Sequence, residues 1–161
     1  MQPPGFGSEG DYLALSTETN LGTVNVIITE DIQSSFQGIL GVSGDIPGPA
    51  IASTRSAVLV DALQAMGPDG RFVPLEVRLL AETLAHETGH YLGLFHPVED
   101  GWQSWDSLED TPECSSQNSC IEVLDRNLMF PFPICSSVTC TAQDEITEAQ
   151  AGVMHRYVGV D

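Results

Sequence analysis

The chain has 161 residues, 42% of them hydrophobic, so it can form one domain with a substantial core. Asp and Glu number 23 against five Lys and Arg, which gives a net charge of −18 at pH 7. This charge argues against a nucleic-acid partner and against an anionic membrane, because both would repel the chain. We find no apolar run that could span a bilayer, and Met1 is not followed by a signal-peptide pattern.

The first half of the chain predicts short strands followed by a helix. Thr23–Thr29 is β-branched and apolar and predicts a buried strand, and Ser56–Val60 predicts a second strand. The many Gly and Pro residues between them predict a long surface loop over 38–50. From Leu75 onward, apolar residues recur at steps of three and four, which predicts a helix whose entry suits Pro74.

The second half is less regular. Residues 97–126 are acidic and show no period, so we expect a loop with one short helix. Residues 141–158 predict a final helix, with Thr141 as its cap and Asp144 and Glu145 in its first turn. Together these elements indicate an α+β protein.

Four cysteines all lie in the last third of the chain, and none of them has Cys-x-x-Cys spacing. An even, clustered set favours two disulfides and an oxidising compartment, whereas four free buried thiols are the alternative. Three connectivities are open. The cysteines are Cys114, Cys120, Cys135 and Cys140.

Three of the four histidines lie close together in the sequence. His86 and His90 are one helical turn apart, so on a helix they face the same way. Gly93 allows the helix to stop and turn sharply, which would bring His96 back toward the other two rings. Three imidazoles can hold one zinc ion and leave a fourth position for water. Glu87 lies beside His86, where it could act as general base and acid for hydrolysis by a zinc-activated water.

The pattern HExxHxxGxxH formed by these residues resembles the signature of the metzincin zinc endopeptidases. Asn127–Phe130 is similar to the Met-turn of that clan, which would make Met129 the methionine beneath the metal. Within the clan, the chain most resembles the pappalysins. The likeness lies in the stretch Asp110–Cys114 and in Cys135, the cysteine soon after the Met-turn.

The resemblance implies one metalloprotease catalytic domain over residues 1–161. Its upper lobe (about 1–93) would hold a small twisted mixed sheet and the zinc-binding helix. Its irregular, disulfide-bearing lower lobe (about 94–161) would end in a helix. An extended protein or peptide substrate would pair with an edge strand, for which Ser56–Val60 is the candidate.

The sequence departs from the resembled proteins at three places. One of them is Pro97, which follows the third histidine where pappalysins usually differ. Many metzincins carry a tyrosine two residues after the Met-turn methionine, where this chain has Pro131, so we assign no oxyanion stabiliser. Metzincins also carry a long helix before the zinc helix. Either that helix lies upstream of Met1 in a truncated chain, or residues 8–20 supply a short remnant.

The acidic loop is a candidate site for a second metal ion. Hard oxygen ligands for Ca²⁺ are offered by Asp106, Asp110 and Thr111, and also by Glu99, Asp100 and Glu109. Pappalysin-like proteins can bind calcium nearby. A solvated acidic loop is the alternative.

Three functions follow from these patterns. The first is a secreted, monomeric zinc endopeptidase. The second is a catalytically silent zinc-binding module of a larger extracellular protein. The third is a structural zinc site, which would normally close its shell with four protein ligands.

Overall fold

The computed structural model describes residues 7–18, 23–30, 32–33, 39–50, 53, 55–136 and 139–158. The chain divides into two compact units, Met1–Tyr91 and Leu92–Asp161. The catalytic domain with two lobes stays a prediction. The α+β class, the small mixed sheet and the two disulfides are confirmed.

The first unit contains the strands. They are β1 (Gly7–Ser8), β2 (Asn25–Thr29), β3 (Ile32–Gln33), β4 (Gly41–Ser43) and β5 (Ala57–Asp61). Strand β1 pairs in parallel with β3. The other three strands form a mixed sheet of order β2-β5-β4, in which β5 is parallel to β2 and antiparallel to β4.

The mixed sheet corrects three predictions. Ser56–Val60 is not an edge strand, since β5 has neighbours on both sides and its Ala57, Val58, Leu59 and Val60 are fully buried. The loop predicted over 38–50 contains the outer strand β4. Strand β2 is only half-buried, because Val26 and Ile28 alternate outward and are 45% and 62% exposed.

The helices of the first unit are α1 (Glu9–Ala14) and α2 (Pro74–Tyr91), with short 3₁₀ turns at Leu15–Glu18 and Ala62–Ala65. Helix α2 is the one predicted from Leu75, and Pro74 takes its first position, where a missing N–H is harmless. Helix α1 has six residues, so within the part of 8–20 that the structure describes there is only a short helix.

The second unit contains α3 (Gln117–Leu124) and α4 (Glu148–Val158). Its core gathers the Cys114–Cys120 bridge and apolar side chains from several segments: Val98, Leu124 and Phe130, with Trp102, Ile121, Phe132 and Ile134 against them. The second bridge joins Cys135 to Cys140. Among the described helices, none is long and apolar enough to cross a membrane.

Helix α4 begins seven residues later than predicted. Thr147, not Thr141, is the cap, because its Oγ1 accepts from Gln150 N at 3.2 Å while the Gln150 side chain accepts from Thr147 N at 2.9 Å. Asp144 and Glu145 do not enter the first turn of the helix. Both carboxylates bind Arg126 instead.

Candidate metal centre

The last two turns of α2 and the segment that follows bring three histidines together. His86 and His90 lie on one face of the helix, with ring centroids 4.7 Å apart. His90 is buried, at 7% exposure. One ligand atom from each of His86, His90 and His96 lies within 4.8 Å of the other two. The spacing read from the sequence therefore corresponds to a cluster in space.

Gly93 makes the turn that brings His96 back. Its φ is +100°, in the region that side chains with a Cβ rarely adopt. Helix α2 ends at Tyr91, so the chain reverses within a few residues. The prediction that Gly93 supplies a left-handed exit from the helix is confirmed.

The donor set fits zinc. Tetrahedral zinc holds imidazole nitrogens at about 2.0–2.1 Å, which places them about 3.3 Å from one another. The three candidate ligand atoms lie within 4.8 Å of one another, at most about 1.5 Å wider than that spacing. All four cysteines are in disulfides, so the donors are nitrogens without thiolates. In the part of the chain that the structure describes, the cluster has three members, fewer than the four of a structural zinc site.

Glu87 lies beside this cluster in a sheltered position. Burial raises the pKa of its carboxyl from 4.5 to about 7, although a hydrogen bond from the Ser43 backbone lowers it in part. A carboxylate with a pKa near neutrality can both accept and release a proton under ordinary conditions.

Strand β4 approaches Glu87 closely because Gly41 has no side chain. A Cβ there would lie 2.7 Å from Glu87 Cγ and 2.9 Å from Thr83 Cγ2. Gly44 N donates to Ala57 O, and Asp61 N donates to Leu40 O, so the even-numbered residues of this segment face β5. Because backbone groups alternate in direction along an antiparallel strand, the amides of Gly41 and Ser43 face away from β5. The amide of Ser43 faces Glu87.

Met129 lies in a tight turn in the second unit. Phe130 N donates to Asn127 O at 3.0 Å, and Met129 N donates to the Asn127 side chain at 2.9 Å. Met129 is fully buried. The turn predicted at Asn127–Phe130 is therefore present, and the placement of Met129 beneath the metal stays a prediction.

The residues proposed for calcium serve local structure. Asp106 accepts hydrogen bonds from Thr111 Oγ1 and Leu108 N, and Asp110 accepts from Thr147 Oγ1 and Ala149 N. The bond from Ala149 and, to a smaller extent, that from Thr147 hold the pKa of Asp110 below 3.8. Nothing in the described residues supports a calcium site.

Glu99 is a member of the site that the sequence did not reveal. Its Oε2 lies 3.2 Å from His96 Nδ1. The sequence placed Glu99 in the acidic loop, as one of the candidate calcium ligands, and not at the histidine cluster. An acid three residues after the third histidine was the available signal, but it gives no orientation without the fold.

The chain is similar to two curated fungal proteins. It is 31% identical over 124 residues to an extracellular metalloprotease of Colletotrichum graminicola and 27% identical over 124 residues to extracellular metalloprotease 1 of Coccidioides posadasii. Each match covers 72% of this chain and 41% of the relative, so the chain spans less than half the length of these proteins. No protein-family model matches the chain. The similarities and the histidine cluster together support a metalloprotease.

Proposed function

We propose that this chain is a secreted zinc-dependent endopeptidase of the metzincin type. The observation that carries the proposal is the convergence of His86, His90 and His96, with Glu87 following His86 in helix α2. Relatives named extracellular metalloproteases and the two disulfides support the enzyme class and secretion.

His86, His90 and His96 would hold the zinc ion. Zinc bound there supplies a Lewis acid that acidifies water and polarises a substrate carbonyl. Glu87 accepts a proton from the attacking water and delivers it to the leaving amine. Its sheltered position next to His86 suits this shuttle, because a general base must lie within reach of the proton it accepts.

The substrate would lie along β4. This strand is the outer member of the sheet on the side of Glu87, and its alternate amides face away from β5. An extended peptide could therefore pair with the backbone of Gly41 and with the carbonyl of Ser43, whose amide already donates to Glu87. N-methylation of a cleaved peptide at the paired positions should abolish cleavage, whereas N-methylation at the intervening positions should be tolerated.

The decisive experiment digests a mixed peptide library with zinc-loaded protein and reads the products by mass spectrometry. We expect cleavage that a chelator stops and a hydroxamate inhibits. Glu87→Gln keeps the side-chain shape but removes the proton acceptor, so it should lower kcat by about 10²- to 10⁴-fold. Glu109→Gln, which removes an exposed carboxylate of the acidic loop, is the matched control and should leave the rate unchanged.

A second outcome would support the silent module. If the protein binds one zinc ion but neither it nor Glu87→Gln cleaves any peptide, the endopeptidase proposal is wrong. Pro131, at the position where the clan commonly has a tyrosine, is the observation that favours this second candidate.

A further inference from the structure

We propose that Glu99 is a positioning residue for His96, which it holds in the orientation and tautomer that a metal ion requires. The inference rests on the proposed metal site but not on peptidase activity. Its basis is the 3.2 Å contact between Glu99 Oε2 and His96 Nδ1.

The contact determines which ring nitrogen is available. A carboxylate only accepts hydrogen bonds, so Nδ1 of a neutral His96 must carry the proton in this contact. Nε2 then carries the lone pair that can bind a metal. Histidines that bind metals generally donate their other N–H to a carboxylate, a carbonyl or water, and loss of that partner weakens metal binding.

The backbone fixes the position of Glu99. Glu99 N donates to Ser104 O at 2.9 Å, and Glu99 O accepts from Trp102 N at 3.0 Å. Val98 and Trp105 form an antiparallel bridge directly outside this turn. Glu99 is therefore held at the base of a closed turn.

The turn is attached to the core of the second unit. Val98 is fully buried, and the ring of Trp102 stacks on Phe130 with centroids 6.4 Å apart. Trp102 adopts a φ of +58°, an unfavourable conformation that its ring packing offsets. The carboxylate of Glu99 thus meets His96 from a backbone anchored in the core.

Partial exposure limits the strength of the contact. The side chain of His96 is 23% exposed and that of Glu99 is 50% exposed. Loss of an outer carboxylate typically lowers metal affinity by about 10- to 100-fold. Because water competes for this carboxylate, we expect the lower end, about tenfold, for Glu99→Ala.

The experiment compares wild type, Glu99→Ala, Glu99→Gln and the neighbouring control Asp100→Ala. Zinc affinity is measured by competition with a chromophoric chelator. The tautomer of neutral His96 in metal-free protein is measured by long-range ¹H–¹⁵N correlation, with the signal assigned through His96→Gln. Thermal unfolding of each metal-free variant shows that it is folded.

We expect Glu99→Ala to weaken zinc binding about tenfold and to move the His96 proton from Nδ1 toward Nε2. Glu99→Gln keeps an acceptor oxygen, so it should retain the tautomer and lose about threefold in affinity, since an uncharged acceptor forms a weaker bond. Asp100→Ala should change neither quantity.

An unchanged zinc affinity or an unchanged tautomer in Glu99→Ala overturns the inference. A purely structural role for Glu99 would lower the unfolding temperature of the metal-free variant but leave the tautomer of His96 as in wild type. A wild-type protein that binds zinc but cleaves nothing would refute the endopeptidase and leave this inference standing. A wild-type protein that binds no zinc would overturn both.

Discussion

Replacement of Gly93 by alanine should weaken zinc binding more than it weakens the fold. Gly93 has a φ of +100°, and His96 follows three residues later. An alanine that keeps this φ bears strain of about 1–3 kcal/mol. An alanine that relaxes toward the left-handed minimum rotates by about 40°.

The rotation would carry His96 away from the cluster. Three residues form an arm of about 10 Å, so a turn of this size displaces the ring by several ångströms. Metal–ligand distances tolerate deviations of only about 0.2 Å. The metal-free protein can therefore relax at the expense of the cluster, whereas the zinc-bound protein must keep the strained backbone.

The strain then appears as a loss of zinc affinity. A difference of about 1–3 kcal/mol corresponds to a dissociation constant raised about 5- to 150-fold. The competition titration with a chromophoric chelator measures this change. Thermal unfolding in the presence of EDTA should show only a small shift for Gly93→Ala.

Gly70→Ala is the matched control. Gly70 has a φ of +73°, and a Cβ there would meet nothing within 4 Å, so the substitution adds backbone strain without a clash. It should lower the unfolding temperature with and without zinc while leaving zinc affinity intact. Equal zinc affinity for Gly93→Ala and wild type, or an equal loss in Gly70→Ala, would refute the reasoning.

Three further predictions concern stability, each read from chemical denaturation. Gly48→Ala would place a Cβ against the ring atoms of Tyr91, whose hydroxyl donates to Pro49 O at 2.8 Å. We therefore expect the free energy of unfolding to fall by about 3 kcal/mol, whereas a fall of less than about 1 kcal/mol would show that the ring moves freely. Thr147→Ala removes the cap of α4 and should cost about 1 kcal/mol, whereas Thr147→Ser should cost little; equal losses would exclude the cap as the cause. Asp110→Asn should destabilise the protein at neutral pH. The difference in unfolding free energy between this variant and wild type should become smaller as the pH falls below 3.8.

The sign of the last prediction follows from the hydrogen bonds of Asp110. Its pKa is lowered in the folded state, chiefly by the bond from Ala149 N, so the folded protein favours the ionised carboxylate. The stabilisation is present above the pKa of the unfolded chain and is lost as the pH falls through the folded pKa. A difference that stayed constant down to acidic pH would contradict this assignment.

Helix α2 and the histidine cluster could be predicted because their signals are local. The apolar spacing after Leu75, the helical step between His86 and His90, and the glycine at position 93 each depend on neighbours within a few residues. Local backbone preferences and side-chain periodicity suffice for such features.

The missed features depend on partners far along the chain. Strand β4 exists because Gly41–Ser43 pairs with β5, although the segment around it is rich in glycine and proline. Asp144 is an acidic residue of the kind that favours a first helical turn, but its carboxylate binds Arg126 outside the helix. Tertiary contacts of this kind override local propensity, and a single sequence does not display them.

The two disulfides join cysteines separated by only six and five positions. Closing each short loop raises the free energy of the unfolded chain by only about 2 kcal/mol, whereas a loop of a hundred residues would raise it by roughly 5 kcal/mol. In return, each cysteine lies only a few residues from its partner, so the native pairing competes well with longer-range pairings even in the unfolded chain. Short loop closure therefore favours the native pairing of the second unit over the other two connectivities before that unit has folded.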